Sequence, residues 1–262
     1  MAKGEHHKAE NKQIVQAQYR PFERRHADAA REHNDRTYQL PRIYPTADAR
    51  TRAIGIAGKG GSNAFTPLIV NRTPDLVVTG AGNAMQFLPI ATWTGPAEEG
   101  DQAAPGLFDA NDTTNAGWQS NINPAAITRY QALDQSITDE DLFYYVYGIL
   151  HSPDYRTAFA ADLKKSLPRI PQVDTAEEFR AFSQAGRDLA ALHLDYESVE
   201  PWPHLDTTFA DGFDSADPAA WRVEKMRYPK VIDPESKKVD DKTVVQMNSR
   251  TTIAGIPERA HD

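Results

Sequence analysis

Apolar residues follow two rhythms along this chain, and the rhythm changes near its middle. Between Arg42 and Ile90 they fall in short runs: Ala53-Ile54-Gly55-Ile56-Ala57, Leu68-Ile69-Val70, Leu76-Val77-Val78-Thr79 and Phe87-Leu88-Pro89-Ile90. Gly, Pro, Asn or Asp separate the runs. Such punctuation predicts strands joined by tight connections. Upstream, residues 1–12 are polar and charged and read as a disordered lead. Ile14 to Phe22 reads as a strand or an extended entry, and Ala27 to Asn34 as a short helix or a solvated loop. Thr94 to Asn123 is rich in Gly, Pro, Asp, Asn and Ala, which predicts a long loop, partly disordered.

From Thr138 the spacing becomes helical. Thr138 is placed as an N-cap, with acids at 139–141 where a helix dipole favours them. Leu142, Tyr145, Val146 and Ile149 then occupy one helical face. Ser152-Pro153 restarts the chain with a capping serine and a proline at the first helical position. Phe159 and Leu163 lie one turn apart, and Pro168 stops that helix. Thr175 and Glu178 form a capping-box pair ahead of Phe179, Phe182, Gly186, Leu189 and His193. Three helices with short links predict a compact subdomain. Farther on, 206–218 reads as a loop, and Thr243–Met247 and Thr251–Ala254 as the arms of a β-hairpin.

The fold class expected is therefore α+β. A β-rich N-terminal half with a mixed or antiparallel sheet covers 13–123, including the loop over 94–123. A helical subdomain covers 124–200, and a loop and β-hairpin cover 201–262. At 262 residues the chain can hold one large domain or two small ones. It has no cysteine, which excludes disulfides and thiolate metal sites. No apolar run approaches the roughly 18–20 residues needed to cross a bilayer. The start is charged and unlike a secretory signal. These features place the protein in the cytoplasm, away from membranes.

Charge is uneven. The whole chain carries −8, yet residues 1–60 hold 12 Lys+Arg against 7 Asp+Glu. A basic leading segment on an acidic body still permits a DNA contact, because the local potential at the contact face decides. Arg20, Arg24, Arg25, Arg36, Arg42, Arg50 and Arg52 cluster in that segment. The guanidinium fork matches phosphate and can read guanine O6 and N7 in the major groove. Arginine is also common on ordinary solvated surfaces, so some of these are ordinary surface residues.

Other chemistry is incomplete. In Gly55 to Asn63 the order Gly58-Lys59-Gly60 breaks a Walker A loop, and the dinucleotide spacing fails as well. A flexible turn between strands is the better reading; the functional alternative is contact of Lys59, Ser62, Asn63 and backbone amides with a DNA phosphate. Asp154, Asp162 and Lys164, or Glu235 and Lys237, supply the letters of a metal-dependent nuclease. Asp162 and Lys164 sit two apart on a helix and do not share a face. His193-Leu194-Asp195 and His204-Leu205-Asp206 lack further ligands for zinc. No Gly-x-Ser-x-Gly elbow, cysteine nucleophile or Asn-Pro-Pro-Tyr methyltransferase signature is present. Phe143, Tyr144, Tyr145 and Tyr147 fall at helical spacing and read as core rather than as a base-stacking surface. No catalytic residue, metal ligand or cofactor site is assigned.

Several segments carry a resemblance. Tyr19-Arg20-Pro21-Phe22-Glu23-Arg24-Arg25 resembles the Tyr-Arg-Pro-Phe-Asp-x-Arg stretch that opens the target-recognition part of type ISP restriction-modification enzymes, with Glu23 in place of Asp. Leu40-Pro41-Arg42-Ile43-Tyr44-Pro45 and Gln86-Phe87-Leu88-Pro89 are similar to further landmarks. The block from Thr138 to Tyr196 is the most specific match. Thr252 to Pro257 resembles a segment that continues into another helix in the family, which implies a truncated end. Those enzymes join a nuclease, an ATP-driven motor, an adenine methyltransferase and a target-recognition domain in one chain. The resemblance implies a non-catalytic module that reads double-stranded DNA for methyltransferase and motor domains supplied elsewhere. It implies that S-adenosylmethionine, ATP and metal belong to those other domains. The alternatives are a protein-interaction remnant that has lost DNA binding and, with no complete constellation to support it, a hydrolytic enzyme.

Overall fold

The computed structural model describes residues 14–30, 33–34, 37–46, 48–58, 65–80, 84–95, 117–235 and 237–261. The polar lead 1–12 and most of the loop expected over 94–123 lie outside them. The chain divides into two units, Met1–Glu197 and Ser198–Asp262.

In the first unit, β1 (Ile14–Arg20) and β2 (Glu23–Asp28) form an antiparallel hairpin whose register shifts between Gln18 and Arg20. Val15 and Ala17 point inward, while β2, ERRHAD, stays outside the core. The Gln18 side chain holds the turn, donating Nε2 to the carbonyls of Arg20 at 2.6 Å and Pro21 at 3.1 Å. A four-residue helix, α1 (Leu40–Ile43), then buries Ile43.

Strand β3 (Ala53–Ala57) lies between β4 (Leu68–Val70) and β5 (Met85–Pro89) in an antiparallel sheet. Its unbroken apolar run has a physical reason: both faces are covered. Ile54, Ile56 and Ile69 join the core shared with the helices. Ala53, Leu68, Val70 and Met85 form a second cluster with Val78 on the other face. The strand expected over Leu76–Thr79 is a turn instead. Asp75 Oδ1 accepts the Val77 N–H at 2.8 Å, and Gly80 turns the chain at φ 116°. That local turn chemistry outweighs β-propensity, and the run serves to bury Val78.

Three further elements escaped the periodicity. Strand β6 (Ala91–Trp93) pairs antiparallel with β7 (Trp118–Ser120), which falls within the stretch expected to be loop. Helix α2 (Pro124–Gln131) follows at once, with Asn123 Oδ1 accepting the Ala125 N–H at 2.9 Å and Pro124 opening the first turn.

The helical block follows its caps closely. Helix α3 (Asp139–His151) starts in a full capping box: Thr138 Oγ1 accepts the Asp141 N–H at 3.2 Å, and Asp141 accepts the Thr138 N–H at 3.0 Å. Helix α4 (Pro153–Ala158) starts at Ser152. It breaks at Phe159, earlier than Pro168, and α5 (Ala160–Leu163) is a separate short turn. Helix α6 (Ala176–Leu194) repeats the capping box with Thr175 and Glu178. Helices α3 and α6 approach through glycine. A Cβ at Gly186 would lie 2.0 Å from the Tyr144 carbonyl oxygen, and one at Gly148 would lie 2.3 Å from that of Phe182. Only hydrogen fits at either position.

The aromatic run of α3 is core, as its spacing predicts. Phe143, Tyr144, Tyr145 and Tyr147 are all buried, and Tyr145 stacks on Phe179 with centroids 4.7 Å apart. The phenols find polar partners at the edge: Tyr145 donates to the Pro171 carbonyl at 2.7 Å and Tyr155 to that of Arg169 at 3.0 Å. Both bonds pin the link between α5 and α6.

In the second unit, β11 (Val244–Gln246) and β12 (Thr251–Ala254) form the expected hairpin. A third strand, β8 (Asp206–Phe209), pairs with β12 where a loop was expected. Strands β9 (Lys230–Ile232) and β10 (Lys238–Asp240) make a separate two-stranded ribbon. Buried Asn248 organises the turn, accepting the N–H groups of Arg250 and Thr251 and donating to the carbonyls of Ala220 and Arg222.

Candidate nucleic-acid interface

The arginines singled out in the sequence occupy two kinds of environment. Arg24 and Arg52 are tied into the fold. The Arg24 side chain, only 13% exposed, donates Nη2 to the Leu194 carbonyl at 2.5 Å and pairs through Nη1 with Glu197 at 2.8 Å. A cation at the last turn of α6 meets carbonyls that have no partner inside the helix. Its Cζ also lies 4.8 Å from the Tyr196 ring centroid. Arg52 joins β3 to α3, pairing with Glu140 at 2.6 Å and donating to the Tyr144 hydroxyl. Burial works against its charge, but Tyr144 and Glu140 outweigh burial and raise its pKa.

Arg25 and Arg42 are exposed. Arg25, on β2, pairs with its neighbour Glu23 at 2.6 Å and sits 4.1 Å from the Tyr19 ring centroid. Arg20 lies 3.9 Å from the same centroid, donates Nη1 to the Tyr19 carbonyl, and is 3.7 Å from Asp75. Two guanidiniums thus flank one tyrosine at the hairpin end. Arg42 projects from α1. Arg50, also exposed, donates Nη1 to the Ala49 carbonyl at 2.9 Å. Arg36, Lys59, Ser62 and Asn63 lie outside the described residues.

One basic residue escaped sequence reasoning. Arg72, in the turn after β4, is buried, donates Nε to Asn71 at 3.1 Å, and reaches Gln16 on β1 through Nη1. Burial lowers its pKa, repulsion from Arg24 and Arg50 lowers it further, and Tyr196 and Glu197 oppose them. A guanidinium stays protonated there. Nothing in the local pattern around Asn71-Arg72 signals this, because the partners come from elsewhere in the chain.

The remaining candidates resolve into structure. His193 lies in the last turn of α6, with Nδ1 at 2.6 Å from the Tyr147 hydroxyl. Tyr147 also accepts the Ile69 N–H at 3.2 Å, so its proton faces the imidazole. His151 stacks edge-on against both Tyr147 and His193. Burial pushes His151 down to about 4, helped by His193 and Arg156, and burial also lowers His193. Among the described residues, no group of three or more His, Cys, Asp or Glu is arranged to hold a metal ion. No helix among them is long and apolar enough to cross a membrane.

Comparison with known proteins adds to this geometry. Residues 1–262 match the family described as the type ISP C-terminal specificity domain. Among solved structures, a nuclease-deletion mutant of the type ISP restriction-modification enzyme LlaGI, in complex with a DNA substrate mimic, is similar. It shares 28% identity at a TM-score of 0.69, over 99% of this chain and 20% of its own. The ATP-dependent type ISP restriction-modification enzyme LlaBIII bound to DNA shares 27% identity at 0.73, over 97% of this chain and 15% of its own. A DrdV–DNA complex shares 29% identity at 0.74, over 96% of this chain and 22% of its own. The chain thus spans about a fifth of the length of these relatives. No curated protein matches it.

Proposed function

Since this chain belongs to the type ISP C-terminal specificity domain family, we propose that it is the DNA target-recognition module of a restriction-modification enzyme working in the cytoplasm. It recognises a short duplex sequence and directs methylation and cleavage that other domains or chains perform. The observation that carries this reading is the whole-chain family match together with three similar structures that are complexes with DNA or a DNA mimic. The exposed arginines of β2, α1 and the following loop support it. Arg25, Arg42 and Arg50 approach the duplex. Arg24 and Arg52 hold the scaffold behind them. The module carries no catalytic group of its own.

The test is affinity for duplex DNA as a function of salt, combined with selection of a preferred sequence from a random pool. Log affinity is expected to fall linearly with log salt, by roughly 0.9 per phosphate contacted. A salt-independent affinity, or a pool that yields no preferred sequence, would sink the reading.

A second reading concerns the second unit. Val231, Ile232 and Val239 of the β9–β10 ribbon stand exposed. An exposed aliphatic ribbon supports a role as a docking surface for the methyltransferase or motor domains. Measured binding to a purified methyltransferase partner, with and without an Ile232→Lys change, separates this role from DNA recognition.

A further inference from the structure

Charge is distributed unevenly along the second unit. Residues 221–230 hold four Lys+Arg against one Asp+Glu, whereas the rest of 198–262 holds five against eleven. Within the basic stretch, residues 222–226 form an exposed segment without regular structure. It is pinned at both ends. At its start, Trp221 Nε1 donates to the Ser215 carbonyl at 2.8 Å, and the indole meets Phe209 edge-on with centroids 5.5 Å apart. Asn248 Nδ2 donates to the Arg222 carbonyl at 2.8 Å. At its end, Arg227 exchanges backbone hydrogen bonds of 3.1 and 2.9 Å with Gln246 of β11, and its Nε donates to the Gln246 side chain at 2.8 Å. The segment is therefore set in place before a partner arrives, which lowers the ordering cost of binding.

What the segment presents to solvent is positive and apolar. Its single acid, Glu224, pairs with Arg250 at 3.2 Å, and the Arg250 guanidinium lies 5.3 Å from the Phe213 ring centroid. Arg222 and Lys225 are exposed, and neither has an ion-pair partner or a side-chain hydrogen bond among the described residues. Beside them stand Val223, 63% exposed, and Met226, 54% exposed. Two unpaired cations select an anion. Two aliphatic side chains left in water select a partner with apolar surface next to its charges. Duplex DNA has both, with phosphates along each strand and sugars and thymine methyls beside them. A purely apolar protein face would strip water from Arg222 and Lys225 without pairing them.

Resting on the reading of this chain as a DNA-recognition module, we propose that residues 222–226 are a further contact with duplex DNA. Arg222 and Lys225 take backbone phosphates, and Val223 and Met226 pack on the sugars or thymine methyls beside them. Three residues of extended chain span about 10 Å, so the two cations meet separate phosphates rather than one. Asn248 and Gln246 are positioning residues, holding the backbone on either side of the contact. The contact lies far along the chain from the basic leading segment, where the sequence placed its arginine candidates.

The experiment uses the full chain and a fluorescein-labelled duplex carrying its preferred sequence, read by anisotropy across a salt series. Arg222→Gln and Lys225→Gln should each reduce the salt slope by about 0.9, and the double variant by about twice that. Val223→Ser and Met226→Ser should each weaken binding roughly four-fold with the slope unchanged, the scale of one methylene returned to water. Lys238→Gln removes the same charge from an exposed lysine of β10, outside the segment, and should leave the slope as it is. All five positions are exposed, so the fold tolerates these changes. An unchanged slope in the Arg222→Gln, Lys225→Gln double variant overturns the assignment while leaving DNA recognition standing. An equal fall in slope for Lys238→Gln also overturns it, because net charge rather than contact would then be at work. Variants that bind DNA as the wild type does, yet lose a purified methyltransferase partner, assign the segment to an acidic protein face instead. Failure of the wild-type chain to bind the duplex removes the DNA-recognition reading as well.

Discussion

The α3–α6 block and the arginine-bearing surface of β2 and α1 use their polar groups in opposite ways. In the block, charge is consumed internally. Arg187 pairs with Asp141 at 2.7 Å, Arg180 meets Asp134, and Ser183 donates to the Asp141 carbonyl at 2.9 Å. On β2 and α1, Arg25 and Arg42 reach solvent. The block is built for rigidity, and its polar groups have little left to offer a ligand. The surface leaves its charge at the solvent, where it contributes little to folding and, on the proposed reading, meets the DNA polyanion. Substitutions should therefore separate the two regions: stability should fall in one, and DNA affinity in the other.

The largest effect is expected at the helix crossing. Gly186→Ala places a methyl group 2.0 Å from the Tyr144 carbonyl oxygen, and backbone has no rotamer with which to retreat. Helices α3 and α6 must separate, loosening the stack of Tyr145 on Phe179. A loss of about 3 kcal/mol is expected, at the upper end for overpacking. Denaturant unfolding measures it. Gly186→Ala with unchanged stability would mean that the helices do not meet there.

Acid probes the same block through its histidines. An unfolded histidine titrates near 6.5, whereas folded His151 is held down at about 4. Between those values the unfolded chain binds a proton that the folded chain refuses. Stability is thus fully present above pH 6.5 and is lost as pH falls toward 4. His193, lowered by the same burial, adds in the same direction. Partial exposure reduces the effect to roughly 2 kcal/mol over that window. The slope of unfolding free energy between pH 6.5 and 4.5 should flatten in His151→Phe.

Smaller again are the caps. Thr138→Ala and Thr175→Ala each remove the hydroxyl that accepts the N–H at the third helical position. Each should cost about 1 kcal/mol, and the two should add because the caps have no common partner.

These caps also explain what the sequence could reveal. Thr138 with Asp141 and Thr175 with Glu178 are complete within one turn, so both helix starts are legible from neighbouring residues. The double burial of β3 is legible as an unbroken apolar run. Strands β7 and β8 are not, because their partners, β6 and β12, lie far along the chain and short strands carry little periodicity of their own. Leu76–Thr79 misleads for the converse reason: the apolar run is real, but Asp75 and Gly80 turn it. The arginines follow the same rule. Arg24 and Arg25 are adjacent in sequence and equivalent by composition. What distinguishes them is Glu197, 173 residues away, which pairs with Arg24. Arg52 likewise finds Glu140 and Tyr144 from a distant helix. Residue type identified basic candidates, and only the fold sorts anchors from the charges left in reserve.

The smallest effect on folding should come from that reserve, and it is the sharpest check on the contrast. Arg42 is exposed on a single turn of helix, and among the described residues Arg25 pairs with Glu23 two residues away, an exposed ion pair of the kind that contributes little. Arg25→Gln and Arg42→Gln should each move stability by no more than about 0.5 kcal/mol. Each should nevertheless weaken DNA binding and reduce the salt slope by about 0.9, the signature of one lost phosphate contact. A loss of affinity with an unchanged slope would instead point to a base contact, since a residue reading guanine alters sequence preference more than counterion release. Arg24→Gln supplies the control from the other class. It removes the bonds to Leu194 and Glu197 at the end of α6, so its damage should register in unfolding before it registers in the salt slope. If Arg25→Gln and Arg24→Gln behaved alike in both measurements, the division between anchoring and reserved charge would be wrong.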